Sequence, residues 1–280
     1  MHLSSLKHLI TEKERESFER DGYLVIPKAL TTDIVESLIH RLDLLDREYR
    51  PRLGIEHNER LHLRDFLNSD PLFLDLLYWP AVFPKIWGIL GWHIQLYLAH
   101  VDVTPQESKE LIGQALAWHQ DSGRVNLEME GNPRPRLSIK VGYFLTDTRE
   151  IGCGNFYVIP GSHTSNTLEE AKRRTKNSNT ALPICVEPGT AVIFDRRLWH
   201  SRSINESTRT RKAIFYGYSY RWLSPRDNTH IGDFSDCVDP IRRQLLGASH
   251  DGHGYSSPSE EDVPLKHWIA KHLGAEAVTP

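Results

Sequence analysis

The chain contains 280 residues, enough for one large domain or at most two small ones. Hydrophobic residues make up 39% of it and charged residues 25%, a mixture that excludes a wholly disordered chain. The formal net charge is -3, so no bulk electrostatic attraction to nucleic acid or to an acidic membrane is expected.

The sequence also indicates a compartment. No apolar run reaches the roughly 18 residues that a membrane span needs. The first ten residues, which include Lys7, lack the apolar segment of a signal peptide. The three cysteines are too few and too scattered for a disulfide framework or a cysteine-based zinc site: Cys153, Cys185 and Cys237. We therefore expect a reducing, cytoplasmic location.

The first ninety residues predict mostly helices. Thr11 followed by Glu14 is a capping box, which predicts a short helix that Gly22 ends. Residues 23–26 then predict a short strand. Apolar residues recur every three or four positions over 31–49, the period of an amphipathic helix. Two further helices are predicted, one from Asp70-Pro71 and one over 84–90.

The middle of the chain predicts a β core. Short runs rich in β-branched and aromatic residues, separated by Gly and Pro turns, cover residues 94–103, 115–119, 137–146, 155–159, 190–194 and 212–220. Many short strands without long helices between them are typical of an antiparallel sandwich or barrel. The polar stretch 165–180 is interpreted as an excursion from this core. Helices return at Asp239-Pro240 and from Ser259 to Gly274.

These elements predict a single domain over 1–280, mainly β with flanking helices. The helical N-terminal part covers 1–92, the β core 93–223 and the helical tail 238–274.

A possible metal site begins at His119-Gln120-Asp121. Residues i and i+2 of a strand point to the same face, so this His and Asp can grip one metal ion from one side. His100-Val101-Asp102 has the same spacing. For that second pair we favour a polar strand end before Pro105.

A third ligand is available at His200, which follows a turn and the buried strand predicted within 189–195. Two His and one carboxylate on one face of an octahedron leave three positions open, as in the non-haem Fe(II) oxygenases. A structural zinc site would instead close its coordination with four protein ligands, often Cys.

Arg211 opens the strand that follows His200. Its guanidinium could clamp a carboxylate bidentately near the metal. It could equally be a solvated Arg at a loop end, because Arg202, Arg209 and Lys212 are its neighbours. In the segment 152–163, we interpret His163 as a side chain bonded to the turn backbone rather than as a ligand.

Taken in order, four segments resemble the phytanoyl-CoA dioxygenase family of Fe(II)- and 2-oxoglutarate-dependent oxygenases. They are Trp-His-Gln-Asp at 118–121, Gly-Cys-Gly-Asn-Phe-Tyr-Val-Ile-Pro-Gly-Ser-His at 152–163, Pro-Gly-Thr-Ala-Val-Ile-Phe-Asp at 188–195, and His200 with Asn205, Ser207 and Arg211. The resemblance covers roughly residues 14–222. It implies a double-stranded β-helix, the jelly-roll or cupin-like core.

The resemblance also implies roles for individual residues. It selects His119 over His100, and matches His119, Asp121 and His200 to the iron ligands. Arg211 matches the residue that pairs with the distal carboxylate of 2-oxoglutarate. Arg64 falls near a second basic contact of the family, a looser match.

The implied reaction consumes 2-oxoglutarate and O2, releases succinate and CO2, and oxidises a C–H bond of a small-molecule metabolite. In relatives that halogenate, a Gly or Ala stands where this chain has Asp121, so hydroxylation, desaturation or cyclisation is expected instead. A non-enzymatic jelly-roll binding protein or a cupin-like isomerase is the alternative.

This sequence departs from the family at positions that bear on the choice of substrate. Gly154 replaces the usual Leu, Arg202 replaces a small residue, and 122–136 forms a long charged loop. Four aromatic residues could line an apolar pocket or equally belong to the core: Trp118, Tyr143, Tyr216 and Trp222.

Overall fold

Helices flank the chain at both ends in the computed structural model of the protein, which describes residues 1–108, 110, 116–174, 181–229, 231–234 and 237–279. Helix α1 (Glu12–Asp21) begins at the predicted capping box, because the Thr11 hydroxyl accepts the Glu14 N–H and the Glu14 carboxylate accepts the Thr11 N–H. It ends at Gly22, whose left-handed φ of 82° lets its N–H donate to the Phe18 carbonyl.

The other predicted N-terminal helices are confirmed. Helix α2 (Thr32–Arg52) buries one face made of Val35, Leu38, Leu42 and Leu45. Helix α3 (Pro71–Asp75) is capped by the Asp70 side chain, and α4 (Phe83–Leu90) ends at Gly91. No single helix of the described residues is long and apolar enough to cross a membrane; only Pro71–Tyr78 with Phe83–Leu90, bent by 48°, meets that length and composition together.

A six-stranded antiparallel sheet forms the centre of the molecule, in the order β1-β7-β4-β9-β3-β2. Its strands are β1 (Tyr23–Ile26), β2 (Leu61–Arg64), β3 (Ile94–Thr104), β4 (Ser138–Phe144), β7 (Thr190–Asp195) and β9 (Arg211–Tyr220). A three-stranded sheet lies in the order β6-β5-β8, with β5 (Phe156–Val158), β6 (Leu182–Ile184) and β8 (His200–Arg202).

The large sheet is buried on both faces. One face packs on the N- and C-terminal helices, in a core that includes Leu38, Phe83 and Tyr218. The other faces the small sheet through a second cluster that includes Phe156 and Phe215. Two antiparallel sheets packed face to face with helices outside are the expected jelly roll with flanking helices.

Both predicted C-terminal helices form, but the last begins at Pro264 and not directly after Ser259. Helix α7 (Pro240–Leu245) is capped by the Asp239 side chain, and α8 (Pro264–Leu273) ends at Gly274. The capping box of Ser259 and Asp262 forms one short turn before α8, at Glu260–Asp262.

Several predicted boundaries differ from the structure. Of the strand expected over 115–119, the described part contributes only an isolated bridge at His119, and Ala115 lies outside the described residues. Strands β2, β6 and β8 were not predicted, because runs of three or four residues carry too little alternation to detect. The 165–180 stretch contains α6 (Leu168–Arg174), and 175–180 lie outside the described residues. The 122–136 loop contains α5 (Gly123–Glu128).

Candidate active site

A two-residue β-bridge brings together the two histidines of the predicted site. The His119 N–H donates to the His200 carbonyl at 3.1 Å, and the His200 N–H donates back to the His119 carbonyl at 3.0 Å. Directly opposed residues of an antiparallel pair project their side chains to the same face. The two imidazole rings therefore lie next to each other, with centroids 4.3 Å apart.

Both imidazoles are oriented by their own backbone. Nδ1 of His119 bonds the Ala117 carbonyl at 3.0 Å, and Nδ1 of His200 bonds the Leu198 carbonyl at 2.8 Å. A carbonyl can only accept, so in each neutral ring the proton lies on Nδ1 and the lone pair on Nε2. This is the outer hydrogen bond that metal-binding histidines usually make.

Asp121 completes the cluster. Its N–H donates to the Arg196 carbonyl, which places the carboxylate beside the two rings. Ligand atoms of His119, Asp121 and His200 all lie within 4.8 Å of one another. Oδ1 of Asp121 accepts from Lys140 Nζ at 2.8 Å, whereas Oδ2 is buried and has no partner among the described residues. An orphaned carboxylate oxygen beside two free imidazole nitrogens suits a divalent cation.

The electrostatics keep these groups in the states that bind metal. Burial lowers the pKa of His200 to about 4, so this imidazole is neutral at physiological pH. Burial alone would raise the pKa of Asp121, but the Lys140 ammonium and the two imidazoles outweigh it and hold that pKa below its ordinary value. A neutral nitrogen and an ionised oxygen are the forms that coordinate metal.

The cluster opens into a cavity of about 380 Å³. Arg211 lines the same cavity and is 3% exposed. Its Nε and Nη1 have no hydrogen-bond partner among the described residues, and Nη1 lies 3.9 Å from Oδ2 of Asp102. Burial lowers the pKa of Arg211 to about 10, which leaves it charged at neutral pH. A buried guanidinium with free donors is a receptor for a carboxylate.

Two further residues shape this receptor: Thr104, which the sequence reasoning missed, and Gly154, which it identified only as a departure from the family. Thr104 lies opposite Arg211 on β3, and its buried hydroxyl has no partner among the described residues. Gly154 has a φ of +68°, and a Cβ there would lie 2.8 Å from Cδ of Arg211. The departure from the family's Leu therefore makes room for the guanidinium. Strand alternation from His100 and Asp102 could have identified Thr104.

A second cluster of possible ligands lines the same cavity: His62, His100 and Asp102. Here Oδ1 of Asp102 already accepts from Arg60 Nη2 at 2.6 Å, and Arg211 lies behind Oδ2. Two guanidinium groups neutralise this carboxylate and repel a cation, so the cluster is a poorer metal site than that of His119. His100 does not end the strand as expected but lies within β3, stacked on Phe215 with ring centroids 4.8 Å apart.

None of the four aromatic residues that the sequence offered as pocket candidates lines this cavity. Tyr143 and Tyr216 point to the opposite face of the sheet, where they pack against each other in the core with the helices. Trp222 is stacked on Tyr220 and lines a different cavity, and Trp118 is absent from the lining. Both faces of β4 and β9 are buried, so polarity could not indicate which face meets the site.

The remaining predicted residues have clear positions. Arg64 ends β2 and lines the cavity with its side chain exposed. Arg202 also lines it and pairs with both carboxylate oxygens of Glu107 at 2.6 and 2.9 Å. His163 is buried, and its Nε2 donates to the Glu19 carbonyl of α1, so its partner is backbone as predicted but not that of its own turn. No sequence signal identified Lys140.

Comparison with known proteins agrees with this geometry. The phytanoyl-CoA dioxygenase (PhyH) family pattern matches residues 18–213. L-proline trans-4-hydroxylase from Streptomyces griseoviridis is 26% identical over 234 residues, which cover 72% of this chain and 84% of that protein. Ectoine dioxygenase from Stutzerimonas stutzeri is 24% identical over 236 residues, 73% of this chain and 75% of that protein.

Solved structures share the fold. HygX from Streptomyces hygroscopicus with nickel and 2-oxoglutarate bound aligns with a TM-score of 0.61 at 18% identity, over 77% of this chain and 89% of that one. EctD from S. alaskensis with 2-oxoglutarate and 5-hydroxyectoine aligns with a TM-score of 0.59 at 19% identity, over 75% and 76%.

Proposed function

The chain belongs to the phytanoyl-CoA dioxygenase family of Fe(II)- and 2-oxoglutarate-dependent oxygenases, and we propose that it hydroxylates a C–H bond of a small polar metabolite. Relatives named for proline and for ectoine support a substrate of that size and polarity. The observation that carries the proposal is the joint placement, in one cavity, of a His-Asp-His cluster and a buried guanidinium with free donors.

We assign the metal to Nε2 of His119, Nε2 of His200 and Oδ2 of Asp121. Ferrous iron held there, with 2-oxoglutarate and O2, supplies the oxidation that yields succinate, CO2 and a hydroxylated substrate. Desaturation and cyclisation are variants of the same C–H oxidation. Because Asp121 fills the position that halogenating relatives leave to chloride, a chlorinated product would contradict this assignment.

The protein's own groups do the rest. Arg211, with the Thr104 hydroxyl, binds the distal carboxylate of 2-oxoglutarate through a charge-assisted pair that is shielded from water. Lys140 holds Oδ1 of Asp121, which leaves Oδ2 free for the metal. A contact of Arg64 with 2-oxoglutarate remains a prediction.

We also propose that 1–280 acts as one domain, since helices from both ends pack on the same face of the large sheet. A reducing, cytoplasmic location is supported by the three unpaired cysteines, Cys153, Cys185 and Cys237. Cell fractionation with an antibody to the chain tests the location.

The test of the function is spectroscopic. Addition of Fe(II) and 2-oxoglutarate to the purified protein without oxygen should produce the visible charge-transfer band of the chelate, and addition of O2 should then release succinate. The His119→Ala variant, which loses an imidazole ligand, is the matched control and should show no band. Absence of the band in the unaltered protein would favour a non-enzymatic binding protein or an isomerase.

A further inference from the structure

Three further charged side chains line the cavity: Arg226, Asp227 and Arg64, whose contact with 2-oxoglutarate is predicted from the family resemblance alone. Both arginine side chains are exposed, and neither has a hydrogen bond or ion pair with any side chain that the structure describes. Arg211 also keeps free donors but is assigned to 2-oxoglutarate, and the remaining cations of the wall are paired. Arg60 pairs with Asp102, Arg202 with Glu107 and Lys140 with Asp121, so their charges are already satisfied.

Asp227 is the unusual member of the group. It is 8% exposed, and its Oδ2 accepts the N–H of Ala99. Its Oδ1 is buried and has no partner among the described residues. A buried carboxylate oxygen without a donor is costly, and such groups are expected to have a partner in the working state.

The positions of the three residues are set by one strand edge. Strand β2 pairs with β3 only as far as Arg64, which lies opposite His100. Beyond that point the segment after β9 takes over the edge, with Arg226 N–H donating to the Tyr97 carbonyl and Asp227 bonding Ala99. The Asp65 carboxylate accepts the N–H of Asn228 at 3.0 Å and ties the two segments together.

We propose that this cluster, which we call the edge site (Arg64, Arg226 and Asp227), binds the substrate, and that the substrate is a small zwitterion of the amino-acid type. The substrate carboxylate lies between the two free guanidinium groups, and its ammonium donates to Oδ1 of Asp227. The proposal rests on the function proposed above and names the substrate class for that same cavity.

The charge pattern selects a zwitterion over a simple anion. An anion alone would satisfy the two arginines but leave Oδ1 of Asp227 without a donor and add a like charge beside it. A cation alone would pair with Asp227 but leave the two arginines without a partner and add a like charge beside them. A molecule with both groups pairs all three side chains at once: its carboxylate meets the two positive charges and its ammonium meets the negative one.

The role of Arg64 follows from its neighbours. Arg64 ends β2 at the edge of β3 that Arg226 and Asp227 continue, whereas Nη1 of Arg211 lies 3.9 Å from Oδ2 of Asp102. We therefore assign Arg64 to the substrate rather than to 2-oxoglutarate.

Calorimetry on the full chain, loaded with Ni(II) and 2-oxoglutarate without oxygen, tests this directly. The titrants are the twenty common amino acids, 4-aminobutyrate, ornithine and the cyclic imino acids. For the tightest binder, its carboxamide and its N-acetyl derivative are titrated next. We expect at least one free amino acid to bind, and each derivative to bind at least tenfold more weakly.

Substitutions in the edge site show which side chain binds the carboxylate of the substrate and which binds its amine. Arg226→Met and Arg64→Met should reduce the preference for the acid over the carboxamide at least fivefold. Asp227→Asn, which can still accept from Ala99, should reduce the preference for the free amine over the N-acetyl form. Arg52→Gln, an exposed residue of α2, is the control and should change neither preference.

The outcomes separate this proposal from the function beneath it. If the Fe(II)–2-oxoglutarate band forms but no amino acid binds, or both derivatives bind as well as the parent, the edge site proposal is wrong and the oxygenase remains. If Arg64→Met raises the KM for 2-oxoglutarate instead, Arg64 belongs to the cofactor and the proposal is likewise wrong. Failure of the band itself overturns the function.

Discussion

Lys140 on β4 donates to Oδ1 of Asp121 at 2.8 Å, and the other oxygen of that carboxylate has no partner among the described residues. The lysine thus compensates the buried aspartate in the absence of a cation and selects the oxygen that a metal can use. It also places a positive charge beside the metal site, so the Lys140 ammonium and the metal ion would share the Asp121 carboxylate.

Replacing Lys140 with Met should destabilise the metal-free protein by about 3 kcal/mol, because it leaves a buried carboxylate without its partner. A divalent metal should restore most of this loss, since it then supplies the missing charge. Thermal denaturation with Ni(II) and with a chelator measures both effects. Lys212→Met is the control: Lys212 pairs with the half-exposed Asp43, so its loss should be about 1 kcal/mol or less and independent of metal.

The two His-Asp clusters make opposite predictions. His119→Ala should weaken metal binding by more than about 100-fold, beyond what loss of an outer-shell partner costs. His100→Ala should leave metal affinity within about twofold, because Arg60 already neutralises Asp102. Metal titration followed by elemental analysis decides between them. Retained metal in His119→Ala with loss in His100→Ala would show that the other cluster is the metal site.

Arg211→Ala should raise the KM for 2-oxoglutarate by roughly 100-fold or more, because one partner of a buried charged pair is lost. Arg209→Ala is the neighbouring control, since Arg209 is exposed and lies 3.5 Å from Asp147 at the surface. Steady-state kinetics with varied 2-oxoglutarate give both values. An unchanged KM in the Arg211 variant would remove this residue from the site.

Gly154→Ala should also weaken the binding of 2-oxoglutarate, although it removes no polar group. The added Cβ would lie 2.8 Å from Cδ of Arg211, and the left-handed backbone adds about 1 kcal/mol of strain. We expect the KM for 2-oxoglutarate to rise roughly three- to thirtyfold, equivalent to about 0.6–2 kcal/mol, with a smaller change in kcat. Gly252→Ala, where nothing lies within 4 Å of the new Cβ, should behave like the unaltered protein.

His100 predicts a pH dependence of stability. Burial lowers its pKa to about 3 in the folded protein, against about 6.5 in the unfolded chain. Between these values only the unfolded chain binds the proton, so stability falls as the pH decreases from 6.5 toward 3. The groups that act on it are Asp102, Lys140, His62 and Arg60.

In His100→Phe this contribution is removed, and the decline of stability with acid should be shallower by up to about 1.4 kcal/mol per pH unit. Urea denaturation at pH 4.5, 5.5 and 6.5 measures the slope. Identical slopes in the two proteins would mean that His100 titrates normally when folded. Asp102 loses its contribution at lower pH than His100 does. Burial alone would raise the pKa of Asp102, but its hydrogen bond to His62 and its cationic neighbours outweigh burial and hold that pKa below its ordinary value.

Local signals predicted the outer elements well. The capping box at Thr11, the Asp70-Pro71 start and the Gly91 stop act within one turn of helix, so their effect does not depend on the rest of the fold. The ordered motifs, through their family resemblance, also selected His119, Asp121, His200 and Arg211, which the structure places around one cavity. Strands β2, β6 and β8 were missed, because each is only three or four residues long and pairs with a strand that is distant in sequence.

The sequence by itself determined that the metal ligands are two His and one Asp, that the core is antiparallel β, and that both ends are helical. Only the tertiary structure decided which side of each strand meets the cavity, and so excluded Tyr143 and Tyr216 while adding Lys140. It also placed Thr104 opposite Arg211 and brought Asp227 into the cavity wall. The physical reason is that β4 and β9 are buried on both faces. Polarity therefore does not distinguish the two sides, and the choice depends on the small sheet and the helices that pack against them.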